Sequence, residues 1–195
     1  MHCMYLDTHS PPLVTTGVGN LIDPVSEAVK LPFFWKNRPG HPTATQIEIA
    51  NEWNRVKSKT AYSHFHSSIW DVLTELGLDD AAIDSLVLDK AMQNEAILKK
   101  RVAFAQFDTW PADAQLGLLS MAWAMGPSFN FSFFAESCRK RDFASAAGQS
   151  HIDDRTNPGL TPRNAANVRL FANAAKVQAP NSGLPLNRLY FPEAL

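Results

Sequence analysis

Asp7 and Thr15 are the first pair of residues whose types and spacing could do chemistry. They lie in YLDTHSPPLVTTGVGNLIDP, residues 5–24, where Tyr5-Leu6-Asp7 reads as a short strand. Thr8 to Pro12 reads as a turn and Leu13 to Val18 as a β-branched strand. A two-stranded hairpin can face an aspartate on one strand toward a threonine on the next, so a carboxylate and a hydroxyl converge as one wall of a cleft. Gly17 and Gly19 would weaken a strand interior, which marks a bend or a close approach of backbone to something else. Taken singly, Asp7 reads as a solvated turn aspartate, Thr15 as an ordinary strand residue and the two glycines as turn geometry. G-V-G is a weak phosphate loop, because no G-K-[ST] follows it.

Other clusters carry less. His64-Phe65-His66 could suggest a metal, but i and i+2 point apart on a helix. On a strand they share a face, and no third ligand is near in sequence. Cys3 and Cys138 fit no metal spacing and read as two free thiols. No metal and no cofactor is expected. Arg139-Lys140-Arg141 reads as a basic helix end, favourable with the helix dipole. The net charge of -1 gives no bulk basic field for nucleic acid. No apolar run is long enough to span a bilayer, and no signal peptide is expected.

The elements that must position these residues are mostly helical. Asp23-Pro24 reads as a helix start. Residues 32–42 hold three prolines and a glycine and read as a loop. Thr45-Gln46-Ile47-Glu48 is a capping box, followed by Ile49, Trp53 and Val56 at helical spacing. Ser67 to Leu76 reads as a short helix ended by Gly77. Asp79 can cap a long helix whose last turn is basic at Lys99, Lys100 and Arg101. Pro111 opens an apolar helix, with Met121, Trp123 and Met125 read as core, that Gly126-Pro127 stops. Phe129 to Arg141 and Asp142 to Gln149 read as two short helices. Thr161-Pro162 starts a last helix to about Lys176. The chain is expected to be α+β and mostly helical, a small N-terminal β-hairpin followed by about seven helices. One domain is expected over 1–176, with the hairpin in 1–24, an insertion or rebuilt region in 32–66, and an irregular tail in 177–195.

The order of these parts resembles the phage-type lysozymes, glycoside hydrolase family 24, in a prophage or secreted-effector branch. Tyr5, Asp7, Thr15, Gly17, Gly19 and Leu21 match the family's Y-x-D and T-x-G-x-G-x-L. LLSMAWAMG (118–126), DFASAA (142–147) and TPRNAANVRLF (161–171) look like its central helix and its last two helices. The resemblance implies a lysozyme-like fold and a muramidase. Such an enzyme cleaves β-1,4 bonds between N-acetylmuramic acid and N-acetylglucosamine in peptidoglycan, by single displacement with inversion. It implies that Asp7 is the base or water-positioning carboxylate and that Thr15 orients the same water. Gly17, Gly19, Leu21, Trp123 and Gln149 would line the substrate, and Arg163 would support the acid. Arg163-Asn164 inverts the family's Asn-Arg order. Asn20 stands where many relatives have histidine, and Ser10-Pro11-Pro12 lengthens the turn.

The family's acid is a glutamate about nine positions before the aspartate, which falls upstream of Met1. Three explanations stand: a protein that begins earlier, which is favoured; a relative that binds without cutting; or another carboxylate, Glu48 or Asp154, acting as acid. The expected partners are peptidoglycan glycan strands, with an immunity protein or a phage or secretion component as further candidates. The expected route is synthesis in the cytoplasm and action on the periplasmic or extracellular cell wall. The rival reading is a non-catalytic wall-binding or structural module.

Overall fold

Side chains at helix ends fix several of the helical boundaries. In the computed structural model, which describes residues 2–8, 10–63, 65–66, 68–155 and 157–195, Thr45 and Glu48 cap α2 (Gln46–Lys57) reciprocally. The Thr45 hydroxyl accepts from the Glu48 amide, and the Glu48 carboxylate accepts from the Thr45 amide at 2.8 Å. Asp79 accepts from the Ala82 amide at 2.7 Å at the start of α4 (Asp80–Leu98). Asp142 does the same for α7 (Phe143–Gln149) through the Ser145 amide. Gly126 ends α5 (Ala112–Met125).

The architecture is α+β and mostly helical. Among the described residues it divides into two compact units, Met1–Lys90 and Ala91–Leu195. The first unit opens on an antiparallel sheet of three strands: β1 (Tyr5–Leu6), β2 (Val14–Thr16) and β3 (Asn20–Leu21), in that order. The expected hairpin is therefore a meander, because Gly17 (φ 61°) and Gly19 (φ 95°) let the chain reverse a second time. A second pair, β4 (Phe34–Trp35) with β5 (Leu76–Gly77), closes a loop of about forty residues around α2. It replaces the expected loop at 34–35 and the expected end of the helix at 76, so α3 (Ser68–Leu73) is shorter than anticipated. Met4, Leu6, Val14, Ile22, Phe33, Ile49, Trp53, Val56, Trp70 and Ile83 bury together as this unit's core.

Asp23 does not cap α1 (Val25–Ala28) as its position suggests. Its carboxylate is engaged by Lys57 and by the Val14 amide instead. The expectation at His64 lies outside the described residues.

The second unit packs α5, α6 (Ser132–Arg139), α7 and α8 (Thr161–Gln178) around an aromatic core. Phe104, Phe107, Trp110, Phe129, Phe134, Phe143 and Phe171 are all buried there. Several meet edge to face, such as Phe134 and Phe171 with centroids 5.2 Å apart. A Cβ at Gly117 would stand 2.9 Å from the Phe171 ring, so that glycine sets how closely α5 and α8 approach.

Beyond α8 the chain has no helix or strand, yet it is tied down. Asp113, fully buried in the first turn of α5, accepts from the backbone amides of Tyr190 (2.9 Å) and Phe191 (3.0 Å) and from the Asn173 side chain. Asn173 in turn donates to the Glu193 carbonyl and accepts from the Leu195 amide. A buried carboxylate needs such donors to offset its lost hydration. Among the described residues no helix is long and apolar enough to cross a membrane.

Candidate functional site

The first unit brings Asp7 and Thr15 onto the backbone of one residue, Leu13, through the two peptide groups that flank it. β1 and β2 pair Tyr5 with Thr15 and Leu6 with Val14, so Asp7 falls opposite Leu13 just past the ladder. The Leu13 amide donates to Asp7 Oδ1 at 2.8 Å, and the Leu13 carbonyl accepts from the Asp7 amide at 3.0 Å. The same carbonyl accepts from the Thr15 hydroxyl at 3.3 Å. Asp7 and Thr15 share a face of the sheet because both lie an even number of residues from Leu13 or its partner. Leu21, the Cα partner of Thr15 across β3, extends the row and is 51% exposed.

This is a tighter arrangement than an open cleft wall. Thr15 is only 4% exposed and Asp7 is half-buried. All three residues of β2 are buried, since Thr16 on the other face is also covered and donates to the Cys3 carbonyl. Tyr5 stands in the same row. Its burial, and then the nearby Asp7 charge, push its hydroxyl pKa up, against the hydrogen bond from the Gly19 backbone.

Gly17 and Gly19 shape the β2–β3 turn. Gly17 is buried, and a Cβ there would stand 3.1 Å from Asn20 Oδ1, which is tight, and 3.5 Å from Ile83. Asn20, for its part, donates to the Leu86 carbonyl of α4.

Three further candidates belong to the second unit. Trp123 is half-buried on α5, whereas its neighbours Met121 and Ala122 are fully in the core. Gln149, the last residue of α7, accepts from the Ser137 hydroxyl at 2.9 Å. It lines a groove of about 360 Å³ with Asn130, Phe131, Ser132, Phe133 and Phe134. Phe133 is 80% exposed beside that groove, a flat apolar surface that the helical spacing of α6 did not single out. Arg163 donates twice from Nη1, to the Ser120 carbonyl and hydroxyl, each at 3.1 Å. Burial pulls its pKa down, and among the described residues no carboxylate pairs with it.

The inverted Arg163-Asn164 order has a physical consequence. Asn164 is the buried member and holds the Ile152 backbone by both its amide and its carbonyl. Arg163 is left to reach α5.

The carboxylates weighed as replacement acids are otherwise occupied. Glu48 is committed to Thr45, whose backbone and side-chain hydrogen bonds lower its pKa. Asp154 accepts from the Thr161 hydroxyl at 2.7 Å, which lowers its pKa, and from Asn164. Glu27, the first glutamate of the chain, pairs with Lys30 on the surface.

Sequence reasoning missed the residues behind the hairpin. Trp53 and Lys57, one turn apart on α2, reach the meander: Trp53 Nε1 donates to the Ile22 carbonyl at 2.9 Å, and Lys57 Nζ to the Pro12 carbonyl at 2.9 Å. Their i, i+4 spacing was visible, but not what that face of α2 would meet.

Compared with protein-family models, with curated proteins and with solved structures, the chain matches none.

Proposed function

We propose that the chain is a lysozyme-like module that engages peptidoglycan glycan strands, with Asp7 and Thr15 as the water-directing pair of an inverting muramidase. The observation that supports this most is the Leu13 backbone, whose amide donates to the Asp7 carboxylate and whose carbonyl accepts from the Thr15 hydroxyl, on one face of a short sheet. Inversion needs a carboxylate that directs water to one face of the sugar while an acid protonates the leaving oxygen from the other. Asp7 supplies the first role. In this reading the second role falls to the glutamate that the resemblance expects before the aspartate, and Glu27, Glu48 and Asp154 are engaged in other contacts. The groove with Gln149 and Phe133 suits a sugar in a second way: an amide for its hydroxyls and an aromatic face for its apolar side.

The test uses a protein extended upstream through that glutamate, incubated with purified peptidoglycan. Release of reducing ends that Asp7→Asn abolishes is the expected result. No release by the extended protein overturns the muramidase reading.

The engagement of every other weighed carboxylate also favours a second reading, in which the chain grips the wall without cutting it. Co-sedimentation with insoluble peptidoglycan and no cleavage by the extended protein would select it, and absence of any binding would sink both. An immunity protein or a secretion component as partner, and delivery to the periplasmic or extracellular wall, belong to this same proposal.

A further inference from the structure

Three consecutive residues of the meander are each gripped by a charged side chain. The Pro12 carbonyl accepts from Lys57 Nζ at 2.9 Å. The Leu13 amide donates to Asp7 Oδ1 at 2.8 Å. The Val14 amide donates to Asp23 Oδ2 at 3.2 Å. The outer two grips are one unit, because Lys57 Nζ and Asp23 Oδ2 are themselves paired at 2.5 Å. Both side chains are largely covered, Asp23 at 16% and Lys57 at 33% exposure, so their attraction is less screened than that of a surface pair.

The brace continues along the next strand. The Val14 carbonyl accepts from the Ile22 amide at 3.0 Å, and the Ile22 carbonyl from Trp53 Nε1. Lys57 Nζ lies 5.7 Å from the centre of the Trp53 ring. One face of α2 thus fixes the backbone on both sides of Leu13. Strands of two and three residues cannot do this alone, because they make too few ladder bonds.

We propose that Lys57 and Asp23 are positioning residues that set the geometry of the Asp7–Thr15 pair through the two peptide groups that flank Leu13. Losing the Lys57 charge frees the Pro12 carbonyl and leaves Asp23 without its counter-ion, so residues 12–14 shift, and with them the acceptor and donor that orient Asp7 and Thr15. The consequence for glycan handling rests on the reading given under Proposed function; the positioning itself does not. It also gives part of the region at 32–66 a task, that of supporting the site from behind.

The experiment compares the wild-type chain with Lys57→Met, which keeps the stem against Trp53, and with Lys57→Arg, which restores the charge. Carboxyl carbon resonances of Asp7 and amide exchange at Leu13 and Val14 are followed by NMR, with the α4 amides of residues 84–90, in the same unit, as the control for unfolding. In Lys57→Met the Asp7 resonance moves and exchange at Leu13 and Val14 quickens about tenfold, while those α4 amides are unchanged and Lys57→Arg recovers most of the effect. If the Asp7 resonance and both amides stay at wild-type values in a folded Lys57→Met protein, the proposal is overturned. Should that variant not fold, Asp23→Asn, which keeps the shape and removes the charge facing Val14, is read by the same signals and against the same criterion. Peptidoglycan sedimentation is run in parallel with Asp7→Ala. Movement of the Leu13 and Asp7 signals with wall binding unaltered in both variants keeps the positioning and removes the glycan reading.

Discussion

The two units solve the same problem with different materials. In 91–195 the helices satisfy most of their own backbone groups, so side chains are free to pack: seven buried aromatic rings form its centre. In 2–90 the strands are two or three residues long, and much of the backbone has no regular partner. There, polar side chains take over. Asp7, Asp23 and Lys57 hold residues 12–14, and Glu52, 5% exposed, accepts from the Glu75 amide while paired with Arg55. Lys36 bridges the Asp71 carbonyl and Thr74. Both units bury an apolar core, but the backbone of the first leans more on bonds from charged side chains, and the candidate water-directing pair lies there. A site of that kind is sensitive to charge changes well away from it, whereas the aromatic unit is sensitive to size.

That contrast can be broken most forcefully at Phe134, which is buried against Phe104, Phe129 and Phe171. Phe134→Ala is expected to cost about 3–5 kcal/mol in denaturant unfolding, by lost transfer energy and the cavity left behind. Amide exchange should quicken in α5, α6 and α8 first. A cost below 1 kcal/mol would mean that rings are not what holds this unit.

Next comes Glu52→Gln in the first unit. The change keeps the volume but removes the charge that meets Arg55 and the Glu75 amide, and a loss of about 2 kcal/mol is expected, the scale of a hydrogen bond to a charged group. A neutral result there would erase the distinction between the units. Thr45→Ala removes one half of the capping box of α2, at about 1 kcal/mol, with fraying at its first turn visible by exchange.

The smallest effect is electrostatic and belongs to the second unit's surface. Hydrogen bonds from Arg139 and Lys140 hold Glu136 at a pKa of about 2, and Arg155 does the same for Asp153. A carboxylate with a depressed folded-state pKa contributes stability that is present above its ordinary value and is lost as pH falls toward the folded one. Stability should therefore decline between about pH 4.5 and about pH 2, and Glu136→Gln should flatten that decline slightly. An unchanged pH profile in the variant would assign the acid sensitivity elsewhere.

What the sequence made legible was local. The capping box at Thr45, the cap at Asp79, and the apolar helix between Pro111 and Gly126 are each written within a few residues. β4 and β5 are not, because two-residue strands show no alternation and their partners lie some forty residues apart. Asp23 shows how local logic is overruled: its place before a proline suggests a cap, but a lysine on a later helix claims it. At the candidate site, Asp7 and Thr15 were expected to face each other, but the register sets Thr15 against Tyr5 and Asp7 against Leu13; the Leu13 backbone that joins them was not legible, since any residue but proline at 13 offers the same amide and carbonyl. The hold of Asp113 on residues 190–191 was equally silent, for want of any periodicity in the receiving segment.

That hold sets an order of events during synthesis. Asp113 precedes its amide donors at Tyr190 and Phe191 by 77 and 78 residues. At about 5–20 residues per second a ribosome leaves the carboxylate waiting about 4–15 seconds for them. Until they arrive, burying the first turn of α5 means stranding a charge, so the nascent helix is kept wet at that end. Completion of the second unit is thus timed by the arrival of the segment that looks least structured.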